Sequence, residues 1–471
     1  MTESEPEPQP FRRGPWPSSP LDDDDLLSEI LRLLPPRASS LPRASLVCKR
    51  WRRLATSPHF LRDFRAFHRA APPLLGVFHN SYLGNDHRFV AAVDPPDQVP
   101  DARFRMPCGR DHRSWRFLDC RHGRALLLGP SPRREVLVWD PMTGARHREP
   151  LPPDAGDVRV GAVLCCHARD CRSSPFNVVL VWWKQEAPQH RRAFAAVYSS
   201  ESGAWSHVIS AQMQVASTNP TAGDARKPGT LAGDAMYWLL PGSPILKFDT
   251  VRRSLAFISM PMCAAGFLYW QCQLVLTEGG VLGLAMATPA SVLVWKMDAG
   301  PAAADGAGWS MHRSVPLDGC LPPRRGMQGV LSCLLGFHEE SNVIFFWIDA
   351  GVFMIQLETM QSRMVCQGVS DFQIYPFAGF YTADAAGAQA DDDAPEGTHV
   401  PRLAMESLTM WHYADPRGDV HGPFPMAHLR RWNNQGFFDE GLMVWRTDQT
   451  KQQAVLLTDA MRSTARARFG S

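Results

Sequence analysis

The densest group of soft metal ligands in the sequence is formed by Cys165, Cys166, His167 and Cys171. Structural zinc sites usually draw paired ligands, spaced as C-x₂₋₄-C, from two places in the fold. Here the first two cysteines are adjacent, so on a strand their side chains would point to opposite faces. The spacing favours buried or loop thiols over a metal centre, and we predict no metal site.

Two histidines near carboxylates could relay protons: His112 beside Asp111, and His122 near Asp119. Loop polar residues explain both pairs more simply. The sequence contains no G-x-S-x-G elbow, no phosphate-binding loop and no H-E-x-x-H motif. We therefore predict no catalytic residue, no cofactor and no enzymatic activity. An enzyme built on the middle of the chain ranks third among the functions considered.

The clearest chemistry is a spaced set of aromatic residues near the C-terminus. A polyproline II peptide offers preformed apolar rings and unpaired carbonyls, so its receptor needs a shallow aromatic groove and a few donors. The Tyr413 hydroxyl and the Trp432 indole could donate, and the rings of Tyr413, Phe424, Trp432 and Phe437 could form the groove. The full spacing is Trp411, Tyr413, Gly422-Pro423-Phe424, Leu429, Trp432 and Gly436-Phe437-Phe438.

This spacing resembles the GYF domain, a small module that binds proline-rich peptides. It departs from the family pattern in having Leu429 for the usual Met and Phe437 for the Tyr that names the family. Asp415 matches the subgroup that favours Pro-Pro-Gly followed by an apolar residue. Because Phe437 lacks a hydroxyl, we expect binding to be weaker by about 1 kcal/mol. The resemblance implies that the peptide-binding residues are Trp411, Tyr413, Asp415, Phe424, Leu429, Trp432 and Phe437.

One helix, from Pro425 to Asn434 and ended by Gly436, would hold Leu429 and Trp432 on one side of this module. The alternative is that the aromatic residues, Phe438 among them, only fill the core of a small domain. The chain contains no Pro-Pro-Gly sequence, so a matching ligand should belong to another protein.

Three short helices are predicted between Asp22 and His68. Four aspartates suit a helix start, where free N–H groups and the helix dipole favour negative charge, and Pro35-Pro36 ends that helix. Its apolar residues recur at helical spacing. A second helix has Pro42 in its first turn, and a third follows Pro58. The apolar positions of the three helices are Leu26, Leu27, Ile30, Leu31 and Leu34; Ala44, Val47, Cys48, Trp51 and Leu54; and Phe60, Leu61, Phe64 and Phe67.

This order, with Leu46-Val47-Cys48-Lys49-Arg50-Trp51-Arg52-Arg53-Leu54 as its most distinctive part, resembles an F-box. The departures are Leu-Asp for the usual Leu-Pro at the start and a slightly long stretch at residues 37–41. A helical piece of about 45 residues buries too little surface to be comfortably stable alone. The resemblance implies that its apolar face docks on the Skp adaptor of a cullin–RING ubiquitin ligase; the alternative is packing onto the following domain. The implied adaptor-binding residues are Leu26, Leu27, Ile30, Leu31, Leu34, Leu46, Val47 and Trp51.

Between residues 74 and 382 the chain changes to short strands separated by Gly, Pro and Asp, which is typical of stacked sheets. A strand-end and turn pattern repeats at Val138–Gly144, Tyr198–Trp205, Lys247–Thr250 and Phe353–Thr359. Repeats of roughly 45–50 residues predict a β-propeller of six or seven blades. In the run from Asp119 to Leu127 and in the turn Trp139-Asp140-Pro141, the segment resembles the F-box-associated propeller-like domains of plant F-box proteins. The predicted strands include Ala125–Leu128, Val136–Trp139, Val178–Trp183, Phe194–Tyr198, Met236–Leu240, Val292–Trp295 and Val343–Ile348.

The predicted fold is therefore multidomain: an α-helical F-box, an all-β propeller-like domain and a small α+β GYF domain. A net charge of +2 provides no basic footprint for nucleic acid. Eleven scattered cysteines, an acidic Pro-rich start and no long apolar run favour the cytoplasm or nucleus and no membrane partner. The predicted boundaries are 1–20 for a disordered tail, 21–68 for the F-box, 74–382 for the propeller, 383–404 for a linker, 405–450 for the GYF domain and 451–471 for a tail.

Together these features predict a substrate-receptor subunit of a Skp–cullin–F-box ubiquitin ligase. One end would bind the adaptor and cullin, while the propeller, the GYF domain or both would bind the ubiquitination target. Such a receptor acts by raising the effective concentration of the target near the ubiquitin donor. The alternative is a scaffold outside the ligase that binds proline-rich peptides and whose F-box serves only to pack.

Overall fold

The computed structural model describes most of the chain in three regions: an N-terminal group of helices, a large β domain and a small C-terminal sheet. No helix in these regions is both long and apolar enough to cross a membrane. The described residues are 23–68, 72–80, 88–106, 115–130, 134–165, 174–187, 190–214, 227–241, 244–298, 308–321, 333–348, 350–366, 373–381, 410–414, 420–426, 429–430, 433, 438, 441–446 and 449–461.

The N-terminal region holds four helices where three were predicted. They are α1 (Asp24–Arg32), α2 (Ser40–Ser45), α3 (Lys49–Ala55) and α4 (Pro58–Phe67). The second predicted helix is wrong in one respect, because it is broken between α2 and α3. The Ser45 hydroxyl donates to the Pro42 carbonyl over 2.6 Å, which is the acceptor that a continuing helix would need for the next N–H group.

The β domain is built of sequential antiparallel sheets. The first sheet contains β1 (Leu74–His79) and β2 (Arg88–Ala91). The second contains β3 (Arg116–Arg121), β4 (Arg124–Leu128), β5 (Glu135–Trp139) and β6 (Arg146–Pro150). The third contains β7 (Val158–Cys165), β8 (Phe176–Ala187), β9 (His190–Ser199), β10 (Ala204–Trp205) and β11 (Ile209–Gln214).

The remaining sheets continue the same pattern. The fourth contains β12 (Thr230–Ala232), β13 (Ala235–Leu239), β14 (Ile245–Asp249) and β15 (Ser254–Ile258). The fifth contains β16 (Cys272–Thr277), β17 (Val281–Ala287), β18 (Ser291–Met297) and β19 (Trp309–Pro316). The sixth contains β20 (Cys333–His338), β21 (Val343–Ile348), β22 (Gly351–Gln356) and β23 (Ser362–Cys366).

The last strand of the β domain closes its sheets into a ring. After the sixth sheet, β24 (Ile374–Ala378) returns to the first sheet and pairs antiparallel with β1, with Phe78 opposite Tyr375. Because β1 comes first in the domain and β24 last, their pairing joins its two ends. The six sheets that the described residues form match the predicted propeller-like architecture.

The core lies between the sheets, because the central strands bury both of their faces. Leu127 packs toward the first sheet, while its neighbour Leu126 packs toward the third. Trp238 and Tyr237 divide in the same way between the third and fifth sheets. The fifth and sixth sheets share one further cluster, and the sixth and first sheets share another. Alternation along each strand therefore produces an apolar layer between every pair of neighbouring sheets.

The repeat seen in the sequence is a turn with a left-handed residue four positions after its start. The Asp140 carboxylate accepts hydrogen bonds from the Met142 and Thr143 N–H groups, and Asp249 and Gln356 form the same kind of turn. The left-handed position is a glycine in two copies but not in the other two. These residues are Gly144 (φ 75°), Gly203 (φ 64°), Arg253 (φ 51°) and Met360 (φ 59°).

The C-terminal region is a sheet with the order β26-β25-β27-β28 and helical residues beside it. Its strands are β25 (Met410–Ala414), β26 (Val420–Pro425), β27 (Met443–Arg446) and β28 (Val455–Leu456). Met426, Leu429, Arg430 and Asn433 are helical, in agreement with the predicted helix over 425–434. The module extends past the predicted end at 450, because β28 pairs with β27 and Leu457 and Ala460 belong to its core.

Candidate binding surfaces and the central ion network

The acidic run at the N-terminus begins α1 as predicted. Asp23 caps the helix: its carboxylate accepts the N–H groups of Asp25 (2.8 Å) and Leu26 (3.2 Å). Asp24 forms ion pairs with Arg50 (2.6 Å) and Arg53 (3.4 Å) of α3. The same short run therefore starts one helix and holds it against another.

The residues predicted to bind the adaptor fall into two groups. Leu27 and Leu31 are fully buried in the helical core, and Leu34 and Trp51 are half-buried against it. These four side chains are covered wholly or in part by the helical core itself, and their role in adaptor binding stays a prediction. The exposed residues are Leu26 (44%), Ile30 (38%), Leu46 (74%) and Val47 (62%).

Leu46 and Val47 lie in the turn between α2 and α3, outside the helical core. The Asp24–Arg50 ion pair joins this turn region to the start of α1, where Leu26 lies. Sequence analysis did not single out Leu33 as a surface residue, yet it is 63% exposed.

In the C-terminal module, one face of the sheet holds the predicted aromatic site. Trp411 is 6% exposed and Leu429 is fully buried, and both pack in the core with Val444. The Trp411 indole N–H is buried and has no hydrogen-bond partner in the described part of the chain. Tyr413 packs edge-on against Phe438, with ring centroids 5.0 Å apart.

The remaining predicted peptide-binding residues are only partly covered by the structure. Phe424 lies in β26 directly opposite Trp411 in the strand register. Asp415, Trp432 and Phe437 lie outside the described residues. The structure thus places Trp411, Tyr413 and Phe424 on paired strands, and the assignment of all seven residues to peptide binding stays a prediction.

The opposite face of the same sheet carries a second aromatic pair. His412 stacks on Trp445 with ring centroids 6.0 Å apart and an interplanar angle of 20°. Burial lowers the pKa of His412. Because strand neighbours point to opposite faces, His412 provides a natural comparison for Tyr413.

The cysteine cluster considered in the sequence is only partly included in the described residues. Cys165 ends β7, and Cys166, His167 and Cys171 lie outside the described residues. Within the described residues, no cluster of His, Cys, Asp and Glu could hold a metal ion.

The interpretation of Asp119 as a loop residue is wrong. Asp119 is 1% exposed within β3, and its carboxylate accepts the Val163 N–H (3.1 Å) from the neighbouring sheet. Burial raises the pKa of Asp119, while the Arg121 charge and the Val163 N–H act against that rise. His122 does lie in the turn after β3, and Asp111 and His112 lie outside the described residues.

Arg121, which sequence analysis did not identify, links sheets that are not neighbours. Its guanidinium pairs with Asp119 (3.4 Å) and with Glu339 after β20, and it donates to the Gly229 carbonyl (3.0 Å) before β12. The second Glu339 oxygen accepts the Leu231 N–H (2.7 Å). This central ion network ties together the second, third, fourth and sixth sheets. No local pattern in the sequence could reveal a contact across such distances.

The network continues toward solvent through two histidines around one carboxylate. His338 Nε2 lies 3.3 Å and His122 Nδ1 3.9 Å from Glu340. Burial acts to raise the pKa of Glu340, but the His338 hydrogen bond and the nearby charges lower it overall. His338 Nδ1 also lies 2.6 Å from the Ser341 hydroxyl oxygen, so the arrangement joins a carboxylate, two imidazoles and a serine hydroxyl.

Comparisons with known proteins find matching domain families near both ends of the chain. Residues 23–63 match the F-box domain family, and residues 411–455 match the GYF domain family. The chain is 50% identical over 62 residues to Zinc finger CCCH domain-containing protein 19 of Arabidopsis thaliana, a match covering 13% of the chain and 3% of that protein. It is 46% identical over 56 residues to Zinc finger CCCH domain-containing protein 44 of the same plant, covering 12% and 4%.

Among solved structures, the chain is similar to the GYF domain of a hypothetical protein from Arabidopsis thaliana. The identity is 35%, the match covers 16% of this chain and 94% of that one, and the TM-score is 0.12. The chain spans only a few per cent of the length of the two zinc-finger relatives. F-box and GYF domains are binding modules. The chain therefore combines an F-box domain, an all-β propeller-like domain and a GYF domain.

Proposed function

We propose that the chain is a substrate-receptor subunit of a Skp–cullin–F-box ubiquitin ligase. The observation that carries the proposal is the exposure of Leu26, Ile30, Leu46 and Val47 on an F-box whose core is already filled by other residues. Burying a Leu or Ile side chain contributes roughly 1.5–3 kcal/mol, so a partner that covered these side chains would gain binding free energy.

In this proposal the chain performs no bond chemistry of its own. The F-box binds the Skp-type adaptor and through it the cullin, while the propeller and the GYF domain bind the target. A bound target is thereby held at a high effective concentration near the ubiquitin donor. The division into an adaptor-binding end and a separate binding module at the other end supports this assignment.

The adaptor surface can be tested without disturbing the F-box core. We expect the combined change of Leu26, Ile30, Leu46 and Val47 to Ala to weaken adaptor co-precipitation by at least about tenfold, since central apolar contacts dominate interfaces. The change should leave thermal unfolding of the chain nearly unaltered, because all four residues are exposed.

The control is Val251→Ala on the propeller, where the side chain is 73% exposed, much like Leu46. This variant should co-precipitate the adaptor as the unmodified chain does. Undiminished adaptor binding by the fourfold variant would refute the proposed surface.

For the GYF domain we propose binding of a proline-rich, Pro-Pro-Gly-like segment of another protein. Trp411, Tyr413 and Phe424 lie on paired strands; Trp411 is buried in the core of the module, and Tyr413 is half-buried beside it. A partly exposed tyrosine ring suits the apolar rings of a polyproline II helix.

Peptide titration of the full chain, followed by intrinsic tryptophan fluorescence, tests this second role. Tyr413→Ala should abolish the response to a Pro-Pro-Gly peptide, and Trp432→Ala should do the same. His412→Ala on the opposite face should retain the response. Absence of any response from the unmodified chain at millimolar peptide would refute peptide binding and leave the adaptor proposal unaffected.

The scaffold alternative differs from the ligase proposal in one respect, the adaptor. A chain that binds Pro-Pro-Gly peptides but never co-purifies with the adaptor and cullin would support the scaffold.

A further inference from the structure

The F-box core is contacted by a residue that follows the last strand of the propeller. Phe380, which follows β24, packs against Phe64 of α4, with ring centroids 6.2 Å apart and an interplanar angle of 81°. It joins the cluster that includes Leu27, Leu31 and Phe60. Nearly the whole propeller separates Phe64 and Phe380 in sequence, so this contact forms only in the folded chain.

The F-box region likewise contributes a residue to the core of the propeller. Ala38, between α1 and α2, is 3% exposed and belongs to the propeller core that contains Phe78 and Trp139. Its neighbour Ser39 donates from its N–H (3.2 Å) and its hydroxyl (2.6 Å) to Asp97, which follows β2. Each domain thus packs a residue of the other against its core.

Phe380 and Tyr381, the second and third residues after β24, divide between the two cores. Phe380 packs against the F-box cluster, whereas Tyr381 packs against the propeller cluster. The backbone fixes this arrangement, because the Gly379 N–H donates to the Pro73 carbonyl (3.1 Å) just before β1. The chain entering the propeller and the chain leaving it are therefore bonded at the junction.

Contacts within the F-box extend from α4 to α1. His68, at the end of α4, lies 2.9 Å from the Arg32 carbonyl at the end of α1. The Arg32 guanidinium also lies over the Phe67 ring, 4.9 Å from its centroid. A residue that fixes α4 therefore also fixes α1, which carries Leu26 and Ile30.

We infer that the F-box and the propeller form one mechanical unit, held by this reciprocal insertion, with Phe380 as a positioning residue of the F-box. Domains in one chain usually move relative to each other unless their interface is large and apolar. Here Ala38 enters the propeller core and Phe380 packs against the F-box core, so relative motion of the two domains requires the loss of both apolar contacts. The fixed orientation between adaptor and target that follows rests on the proposed function; the coupling itself does not.

Hydrogen–deuterium exchange of the full chain tests the coupling without any partner. Phe380→Ala removes apolar packing from the F-box core and should speed amide exchange in α1 and α4 by about tenfold or more, with the fifth and sixth sheets unchanged. Tyr381→Ala is the matched control, because the substitution is similar and the side chain packs on the propeller. It should speed exchange mainly in β1, β3 and β24.

Phe380→Leu keeps an apolar side chain at the junction and should restore most of the protection of α1 and α4. This variant keeps the test decisive should Phe380→Ala fail to fold. Unchanged exchange in α1 and α4 for a folded Phe380→Ala variant would overturn the inference. So would the same exchange pattern for the Phe380 and Tyr381 variants.

Adaptor co-precipitation with the same proteins separates this inference from the proposed function. If the unmodified chain fails to bind the adaptor, the ligase proposal fails, and the exchange measurement still decides whether Phe380 completes the F-box. If the unmodified chain binds and Phe380→Ala binds at least severalfold more weakly, the coupling extends to the adaptor surface. Equal adaptor binding together with unchanged exchange would overturn it.

Discussion

The F-box and the propeller bury their apolar residues in different ways. Propeller strands bury both faces, so that Leu126 and Leu127 each contact a different neighbouring sheet. The F-box buries one set of residues and exposes another, and Leu27 is covered while Leu26 is 44% exposed. In a closed ring, the apolar side chains of each sheet are covered by the neighbouring sheets. A small helical domain needs other parts of the chain, or a partner, to cover some of its apolar side chains. Exposed apolar residues therefore indicate a partner more clearly in the F-box than in the propeller.

The largest expected effect is a loss of propeller stability. Arg121→Met leaves the buried Asp119 and the half-buried Glu339 without their cation, and removing one member of a buried ion pair typically costs about 3–5 kcal/mol. We expect the free energy of unfolding of the propeller, measured by urea titration, to fall by this amount.

An exposed ion pair in the F-box serves as the control for Arg121. Arg50→Met removes the pair with Asp24, in which both side chains are partly solvated, and such pairs contribute about 0–1 kcal/mol. Equal losses for the two arginine variants would show that the central ion network does not hold the sheets together.

The next effect separates the two faces of the F-box. Leu31→Ala opens a cavity in the helical core and should lower the free energy of unfolding by about 3 kcal/mol. Leu46→Ala, at a position that is 74% exposed, should change it by less than about 0.5 kcal/mol. Thermal unfolding followed by circular dichroism at 222 nm compares the two variants. A similar loss for Leu46→Ala would mean that Leu46 is covered in solution.

A smaller effect tests the repeated turns of the propeller. Gly144→Ala places a side chain at a left-handed position and should destabilise by about 1 kcal/mol. Met360 already occupies the equivalent position, so Met360→Gly relieves a similar strain but adds flexibility to the unfolded chain. We expect its net effect to stay within about 0.5 kcal/mol. A large loss for Met360→Gly would show that its side chain contributes more than its backbone costs.

The smallest effect concerns pH and the junction between the two regions. The hydrogen bond from the Ser39 hydroxyl lowers the pKa of Asp97. A lowered pKa contributes stability above the unfolded value, about 3.9 for Asp, and this contribution is lost as pH falls through the folded value. The unmodified chain should therefore be more stable than Asp97→Asn at pH 6, and the difference should shrink at pH 3. A difference independent of pH would exclude the carboxylate charge as its cause.

Local sequence patterns predicted most of the elements. The strand over Val343–Ile348 has the predicted bounds, and the other strands named from the sequence are present with ends shifted by one to a few residues. Period-two apolar runs bounded by turn residues leave few alternatives. The repeated turn was visible for the same reason, because Asp140 and Gly144 lie within one short segment.

Features that depend on distant residues were not predictable. Arg121 meets Glu339, and Phe64 meets Phe380, only after the ring has closed. The predicted adaptor-binding set mixes buried and exposed residues for a related reason, since a helical pattern identifies the apolar residues but not which of them the rest of the chain covers. Leu27 and Ile30 look alike in the sequence, yet one is buried and the other is exposed.

Closure by β24 also has a consequence during synthesis. A ribosome adds about 5–20 residues per second, so the stretch between β1 and β24 takes roughly 15–60 s to emerge. Throughout that time β1 lacks its inner partner strand, and the F-box lacks Phe380. The nascent chain therefore carries an open ring and an incomplete helical core together, and a single late segment completes both.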